Sequence, residues 1–127
     1  MAAIRGRDTK PELVVRSLLH RMGYRYRLHG RDLPGRPDIV FRKRRKVIFI
    51  HGCYWHMHPC RYGSVVPKTN ASFWADKRAA NVRRDRENVA KLDAAGWETL
   101  TIWECEVRDT DRLRERLRTF LETLKCG

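Results

Sequence analysis

The order in which the hydrophobic period changes along these 127 residues limits the fold more than any other feature. Thr9-Lys10-Pro11-Glu12 has the form of a capping box, with Thr9 as N-cap and Glu12 as its partner. Val14, Val15, Leu18, Leu19 and Met22 follow at helical spacing, so a first helix is expected over 11–22, stopped by Gly23. Residues 24–28 alternate apolar or aromatic with Arg, residues 38–41 are short and β-prone, and 46–50 form a nearly continuous apolar run. These read as three strands. Over 73–95 the composition is Lys, Arg, Glu, Asn and Ala, with Val82, Val89 and Leu92 as a narrow apolar stripe and Gly96 as the stop, which describes a polar helix. Residues 98–103 alternate into a fourth strand, and Leu113, Leu117, Phe120, Leu121 and Leu124 mark a closing amphipathic helix. Helix, three strands, helix, strand, helix is the order of an α/β sheet flanked by helices. With 42% hydrophobic residues, no internal repeat and no linker, a single domain over 1–127 is expected.

Leu33-Pro34-Gly35-Arg36-Pro37 separates the first two expected strands, and its two prolines make it a turn. Residues 42–46, five consecutive basic residues, separate the next two. They read either as a solvated hairpin tip or as a contact to a phosphate backbone. Lys and Arg number 28 against 15 Asp and Glu, a formal net charge of +13, well above what solubility requires. A polyanion is the simplest partner. Nucleic acid is preferred to an anionic membrane, because there is no continuous apolar span and the amphipathic stretches carry ordinary core faces. The start, Met1-Ala2-Ala3-Ile4-Arg5, shows no apolar signal region, so a cytoplasmic, nucleoid-associated location is expected.

Five groups able to bind a metal fall within ten residues: His51, Cys53, His56, His58 and Cys60. In a reducing compartment four cysteines make a poor disulfide framework, and two of them sit among histidines, so metal binding is the better reading. Closed structural zinc sites take four ligands in a tetrahedron. Cys53, His58 and Cys60 supply three. Cys105, just beyond the strand expected to end at Trp103, is preferred as the fourth, with Cys126 its rival near a fraying terminus. Ordinary buried cysteines and surface histidines are the plain alternative.

Asp38 follows Pro37 at the start of one expected strand, and the neighbouring strand delivers His51 at its end. Phosphodiester hydrolysis calls for a hard divalent ion that neutralises charge in the transition state and activates water, and oxygen ligands suit Mg2+. Asp38 is the candidate carboxylate ligand. The Ile50 backbone carbonyl is the second, since no side-chain oxygen stands there. His51 and His56, left over from zinc, bring imidazoles able to move protons near neutral pH or to steady a phosphate. This is the layout of the P-D…(D/E)-x-K nucleases, with Phe49-Ile50-His51 standing where the second acidic motif lies.

Four segments carry a closer resemblance: Leu33-Pro34-Gly35-Arg36-Pro37-Asp38, Val47-Ile48-Phe49-Ile50-His51-Gly52-Cys53-Tyr54-Trp55-His56, Asn81-Val82-Arg83-Arg84-Asp85, and Gly96-Trp97 with Trp103-Glu104-Cys105. Together they resemble the very-short-patch repair (Vsr) endonucleases over most of the chain, from Met1 to about residue 106. The resemblance implies a restriction-endonuclease-like core, a central mixed four-stranded sheet flanked by helices, with a zinc-stapled loop. It implies a metal-dependent endonuclease that nicks one strand of duplex DNA beside a T:G mismatch, with catalytic Mg2+ and structural Zn2+. Carried over residue by residue, Asp38 and the Ile50 carbonyl match the Mg2+ ligands; His51, His56, Asp85 and Glu12 match active-site positions. Cys53, His58, Cys60 and Cys105 match the Zn2+ ligands. Tyr54, Trp55 and Trp74 match aromatic residues that wedge into the duplex, a distortion costing roughly a few kcal/mol of stacking and less at a mismatched step. Met1 and Ile4 fall in the family's Met-x-x-Ile segment, expected at the DNA. A monomer on DNA is implied, with mismatch-repair proteins as candidate partners.

Several of these positions also have a structural reading. Glu12 is explained by its capping box, Asp85 by ion pairing beside Arg84 and Arg86, and Trp55 and Trp74 by packing under the zinc loop. Two features depart from the family pattern. Members commonly carry a basic segment before Met-x-x-Ile, whereas this sequence opens at Met1, and Tyr54 stands where Phe is common, keeping the stacking face and adding a hydroxyl. Two other functions remain open: a restriction or homing nuclease acting on matched duplex with the same core, and a non-catalytic zinc-stabilised DNA-binding module. The second gives Asp38 and its histidine-bearing neighbour strand no role.

Overall fold

The computed structural model describes residues 10–52 and 70–122. The first helix, α1 (Lys10–Arg21), buries Val15, Leu18 and Leu19 along one face, together with Glu12. It ends where Gly23 turns left-handed at φ 87°. There the Tyr24 amide donates to the Leu19 carbonyl and the Gly23 amide to the His20 carbonyl, each at 3.1 Å, the paired closure that a C-terminal glycine permits. Thr9, the expected cap, lies outside the described residues.

The sheet is mixed. β1 (Arg27–Leu28), β2 (Ile39–Phe41), β3 (Lys46–His51) and β4 (Glu98–Trp103) lie side by side in that order. The first two pairings are antiparallel and the third is parallel. β1 is shorter than the alternation over 24–28 predicts, for a packing reason. The Tyr24 amide closes α1, and the Tyr24 and Tyr26 rings stand edge-on to Phe41 at 6.5 and 6.3 Å, so these residues serve the core rather than a ladder. The basic run divides as well. Residues 42–45 are exposed in the β2–β3 turn, whereas Lys46 is buried and its ammonium donates to the Phe120 carbonyl.

A parallel pair requires a long crossover, and α2 (Ala71–Ala94) belongs to it. Its end repeats the closure of α1: Gly96 has φ 90°, and the Trp97 amide donates to the Leu92 carbonyl at 2.9 Å. After β4 comes a 3-10 turn (Glu104–Arg108), which the sequence pattern does not announce, and then α3 (Thr110–Glu122).

Alternation along the strands sorts their side chains onto two faces. Ile39, Phe41, Ile48 and Ile102 pack with Val15, Leu18 and Leu19 of α1 and Leu113, Leu117 and Leu121 of α3. Val40, Val47 and Phe49 pack with Leu92 of α2 and with Trp97 on the other face. Two helices therefore cover one side and α2 the other, the mixed α/β sheet expected of a restriction-endonuclease-like core. The loop expected over His51 to Asn70 to be stapled by zinc begins later than expected, because His51 closes β3; residues 53–69 lie outside the described residues. No described helix is long and apolar enough to cross a membrane.

Candidate active site

Strand register positions Asp38. Ile39 pairs with Ile48, so Asp38 stands one step beyond the β2 ladder, beside the end of β3, and the Ile50 amide donates to its Oδ2 at 2.7 Å. Burial pushes the Asp38 carboxyl up from 3.8 to about 7; the Ile50 amide opposes this and the nearby Glu12 adds to it. A carboxylate held this way keeps its proton to near neutrality unless a cation comes to it.

The turn before Asp38 is fixed from both sides. The His29 amide donates to the Asp38 carbonyl and the Gly30 amide to the Pro37 carbonyl, both at 2.9 Å. A Cβ on Gly30 would stand 2.7 Å from Val40 Cγ2, and one on Gly35, at φ 76°, would stand 3.0 Å from the Asn88 side chain of α2. Glycine lets the turn lie against both strand and helix. A cavity of about 240 Å³ results, and Arg36, Asp38, Ile50, His51, Asp85 and Asn88 are among its walls.

Within this cavity His51 Nδ1 lies 3.9 Å from Asp85 Oδ2, an ion-pair separation longer than a hydrogen bond. The Phe49 and Trp103 rings flank the imidazole at 5.7 and 5.4 Å and limit its motion. Asn88, one turn after Asp85, was not singled out from sequence, although the i, i+3 spacing puts both on one helix face.

Glu12 reaches Asp38 from α1. It is 1% exposed, it pairs with the Arg16 guanidinium, and its Oε2 lies 3.7 Å from His29 Nε2. One ligand atom from each of Glu12, His29 and Asp38 lies within 4.8 Å of the others. A buried and a half-buried carboxylate so placed suit a hard divalent cation, which would let Asp38 ionise. His29 was missed in the sequence because no local motif contains it; the β1–β2 connection folds it back beside Asp38.

The structure thus brings Asp38, Ile50, His51, Asp85 and Glu12 together. Trp74 does not join them: it sits in the first turn of α2, eleven residues before Asp85 and about 16 Å along the axis, with its ring edge-on to Phe73 at 5.1 Å. Cys105 is half-buried in the 3-10 turn, two residues beyond Trp103, and Trp103 pairs with His51. Met1, Ile4, Cys53, Tyr54, Trp55, His56, His58 and Cys60 lie outside the described residues, as does Cys126.

Comparison with known proteins gives this geometry its context. The model of the family described as DNA mismatch endonuclease Vsr matches residues 1–62. A type II nicking enzyme of Xanthomonas oryzae pv. oryzae is 50% identical over 96% of this chain and 89% of its own. The DNA mismatch endonuclease Vsr of Escherichia coli is 44% identical over 100% of this chain and 81% of its own. A type II nicking enzyme of Neisseria meningitidis is 40% identical over 98% of this chain and 89% of its own. Likeness at this level spans both the turn that carries Asp38 and the helix that carries Asp85, and on it the chain belongs to the Vsr family and is a DNA endonuclease.

Proposed function

We propose that the enzyme nicks one strand of duplex DNA beside a T:G mismatch, in a reaction that depends on Mg2+. The observation that carries this reading is the meeting of Asp38, His51 and Asp85 in one cavity, with Glu12 beside Asp38. The names borne by the relatives, a mismatch endonuclease and nicking enzymes, support the substrate and the single-strand cut.

Asp38 and the Ile50 carbonyl, with Glu12 close by, are the groups that would hold Mg2+. When bound, the ion supplies charge neutralisation at the phosphate and eases ionisation of water. The chain's own residues do the rest. His51, with His56, moves a proton or steadies a phosphate oxygen; Asp85 orients the His51 ring. Arg36, on the cavity wall, offers a guanidinium to the backbone phosphate. Tyr54, Trp55 and Trp74 are assigned to the wedge beside the mismatch, and Met1 and Ile4 to the DNA contact of the N-terminal segment. The enzyme acts as one domain over 1–127 and as a monomer, in the cytoplasm, with mismatch-repair proteins as candidate partners.

A strand-resolved cleavage assay tests this. Cutting is expected in one strand of a T:G duplex, at least tenfold faster than in T:A, and only when Mg2+ is added. Equal rates on the two duplexes would assign the enzyme to matched DNA. Cutting undiminished by a chelator would end the Mg2+ assignment.

Zinc is assigned to Cys53, His58, Cys60 and Cys105. Its support is topological: His51, two residues before Cys53, pairs with Trp103, two residues before Cys105. Structural zinc couples to folding, so Cys105→Ser is expected to lower bound zinc well below one per chain and to reduce the melting temperature. Elemental analysis of the purified variant checks it. Full zinc content in that variant would remove Cys105 from the ligand set.

A further inference from the structure

We propose that His29 is a ligand of the active-site divalent cation, giving the Glu12, His29 and Asp38 group one imidazole nitrogen beside two carboxylate oxygens. The inference rests on the proposed role of Asp38 in metal binding and extends it to a residue that belongs to none of the motifs.

Three observations carry it. The first is spacing. At bond lengths of about 2.1 Å, ligand atoms on adjacent sides of a divalent ion are roughly 3 Å apart and those on opposite sides about 4.2 Å. The three donors lie within 4.8 Å of one another, with His29 Nε2 3.7 Å from Glu12 Oε2, so contraction by roughly half an ångström or a little more completes a coordination arc. The second is placement. His29 is a non-glycine residue at φ 52°, and its amide donates to the Asp38 carbonyl, so its backbone is tied directly to the carboxylate residue. The third is charge. Glu12 is buried with its carboxylate close to Asp38, and Arg16 already bonds Glu12. A carboxylate has lone pairs enough to accept from a guanidinium and ligate an ion at once.

A nitrogen ligand alters selectivity. All-oxygen sites suit Mg2+ and Ca2+, whereas imidazole favours transition-metal ions. The site should therefore hold Mn2+ more tightly than Mg2+.

Mn2+ added to the zinc-loaded full-length protein reads this out without cleavage. Electron paramagnetic resonance gives its affinity, and echo-modulation spectra reveal a directly bound imidazole nitrogen. The nitrogen signal is expected in the unaltered protein and in His51→Ala, and it should vanish in His29→Gln, with Mn2+ affinity lowered about tenfold. His29→Asp restores an oxygen ligand; it should bind Mn2+ without the nitrogen signal and show a smaller preference for Mn2+ over Mg2+. Circular dichroism matching the unaltered protein qualifies each variant. A nitrogen signal that is absent from the unaltered protein, or that persists in His29→Gln, overturns the proposal. The broader metal reading fails separately, if Asp38→Asn keeps full Mn2+ affinity.

Discussion

Asp38→Asn is expected to abolish nicking while making the metal-free protein more stable at pH 8. The two effects have one cause. The Asp38 carboxyl is half-buried beside Glu12, and desolvation raises its pKa from 3.8 to about 7. In the unfolded chain it ionises near 4, in the fold only near 7, so between these values the unfolded state releases the proton first. Stability contributed by protonated Asp38 is complete below about pH 4, declines as pH rises toward 7, and stays at its lowest above that. The full shift corresponds to about 4 kcal/mol, and partial hydration of the carboxyl brings the expected gain in Asp38→Asn to roughly 2–4 kcal/mol at pH 8. Asparagine keeps an oxygen for the Ile50 amide, so the 2.7 Å hydrogen bond survives the change.

Cation binding reverses that deficit in the unaltered protein and not in the variant. Added Mg2+ should therefore raise the melting temperature of the former and leave the latter unmoved. Nicking by the variant should fall about a thousandfold or more, the scale of losing roughly 4 kcal/mol of transition-state stabilisation. Thermal melts of the zinc-loaded protein across pH 4–8 without added Mg2+, repeated in Mg2+, check the linkage. A variant less stable than the parent at pH 8, or one with the same pH slope, would show that Asp38 is an ordinary strand-end carboxylate.

The parts of this arrangement that depend on neighbouring residues could be read from sequence, and those that depend on register could not. Gly23 and Gly96 end α1 and α2 because a left-handed closure needs them, and the apolar run over 46–50 becomes β3 because both of its faces are covered. Asp38 and His51 were legible as a pair, since each sits at the end of its own strand and the strands adjoin. The short β1 was not, because Tyr24 and Tyr26 obey a contact with Phe41 rather than the alternation around them. Nor was Lys46, which pattern alone groups with four solvated neighbours, yet which is buried against α3. His29 is the plainest case. Its nearness to Glu12 requires α1, the β1–β2 connection and the start of β2 to be in place at once, and no window of sequence contains all three. The same reason made Glu12 ambiguous as a capping residue: only the folded chain shows it 1% exposed beside Asp38.

Replacing both His51 and Asp85 by Ala is expected to slow nicking by less than the product of the two single losses. A proton-transferring imidazole contributes on the order of 10²–10⁴ in rate, so His51→Ala should lose that much in kcat. Asp85 Oδ2 lies 3.9 Å from His51 Nδ1, and its removal alone should cost about tenfold by freeing the ring. Once the ring is gone, the part of the Asp85 effect that acts through it should be missing from the double variant. The competing account, in which Asp85 serves α2 by pairing with flanking arginines, predicts a loss of stability that persists whatever stands at 51. The Arg84 guanidinium donates to Asn81 Oδ1 at 2.5 Å, which directs that arginine toward the preceding turn. Single-turnover rates on a T:G duplex, with the melting temperature of each variant beside them, separate the two: equal losses from Asp85→Ala in both backgrounds would return Asp85 to the helix, and a smaller loss in the His51→Ala background ties it to His51.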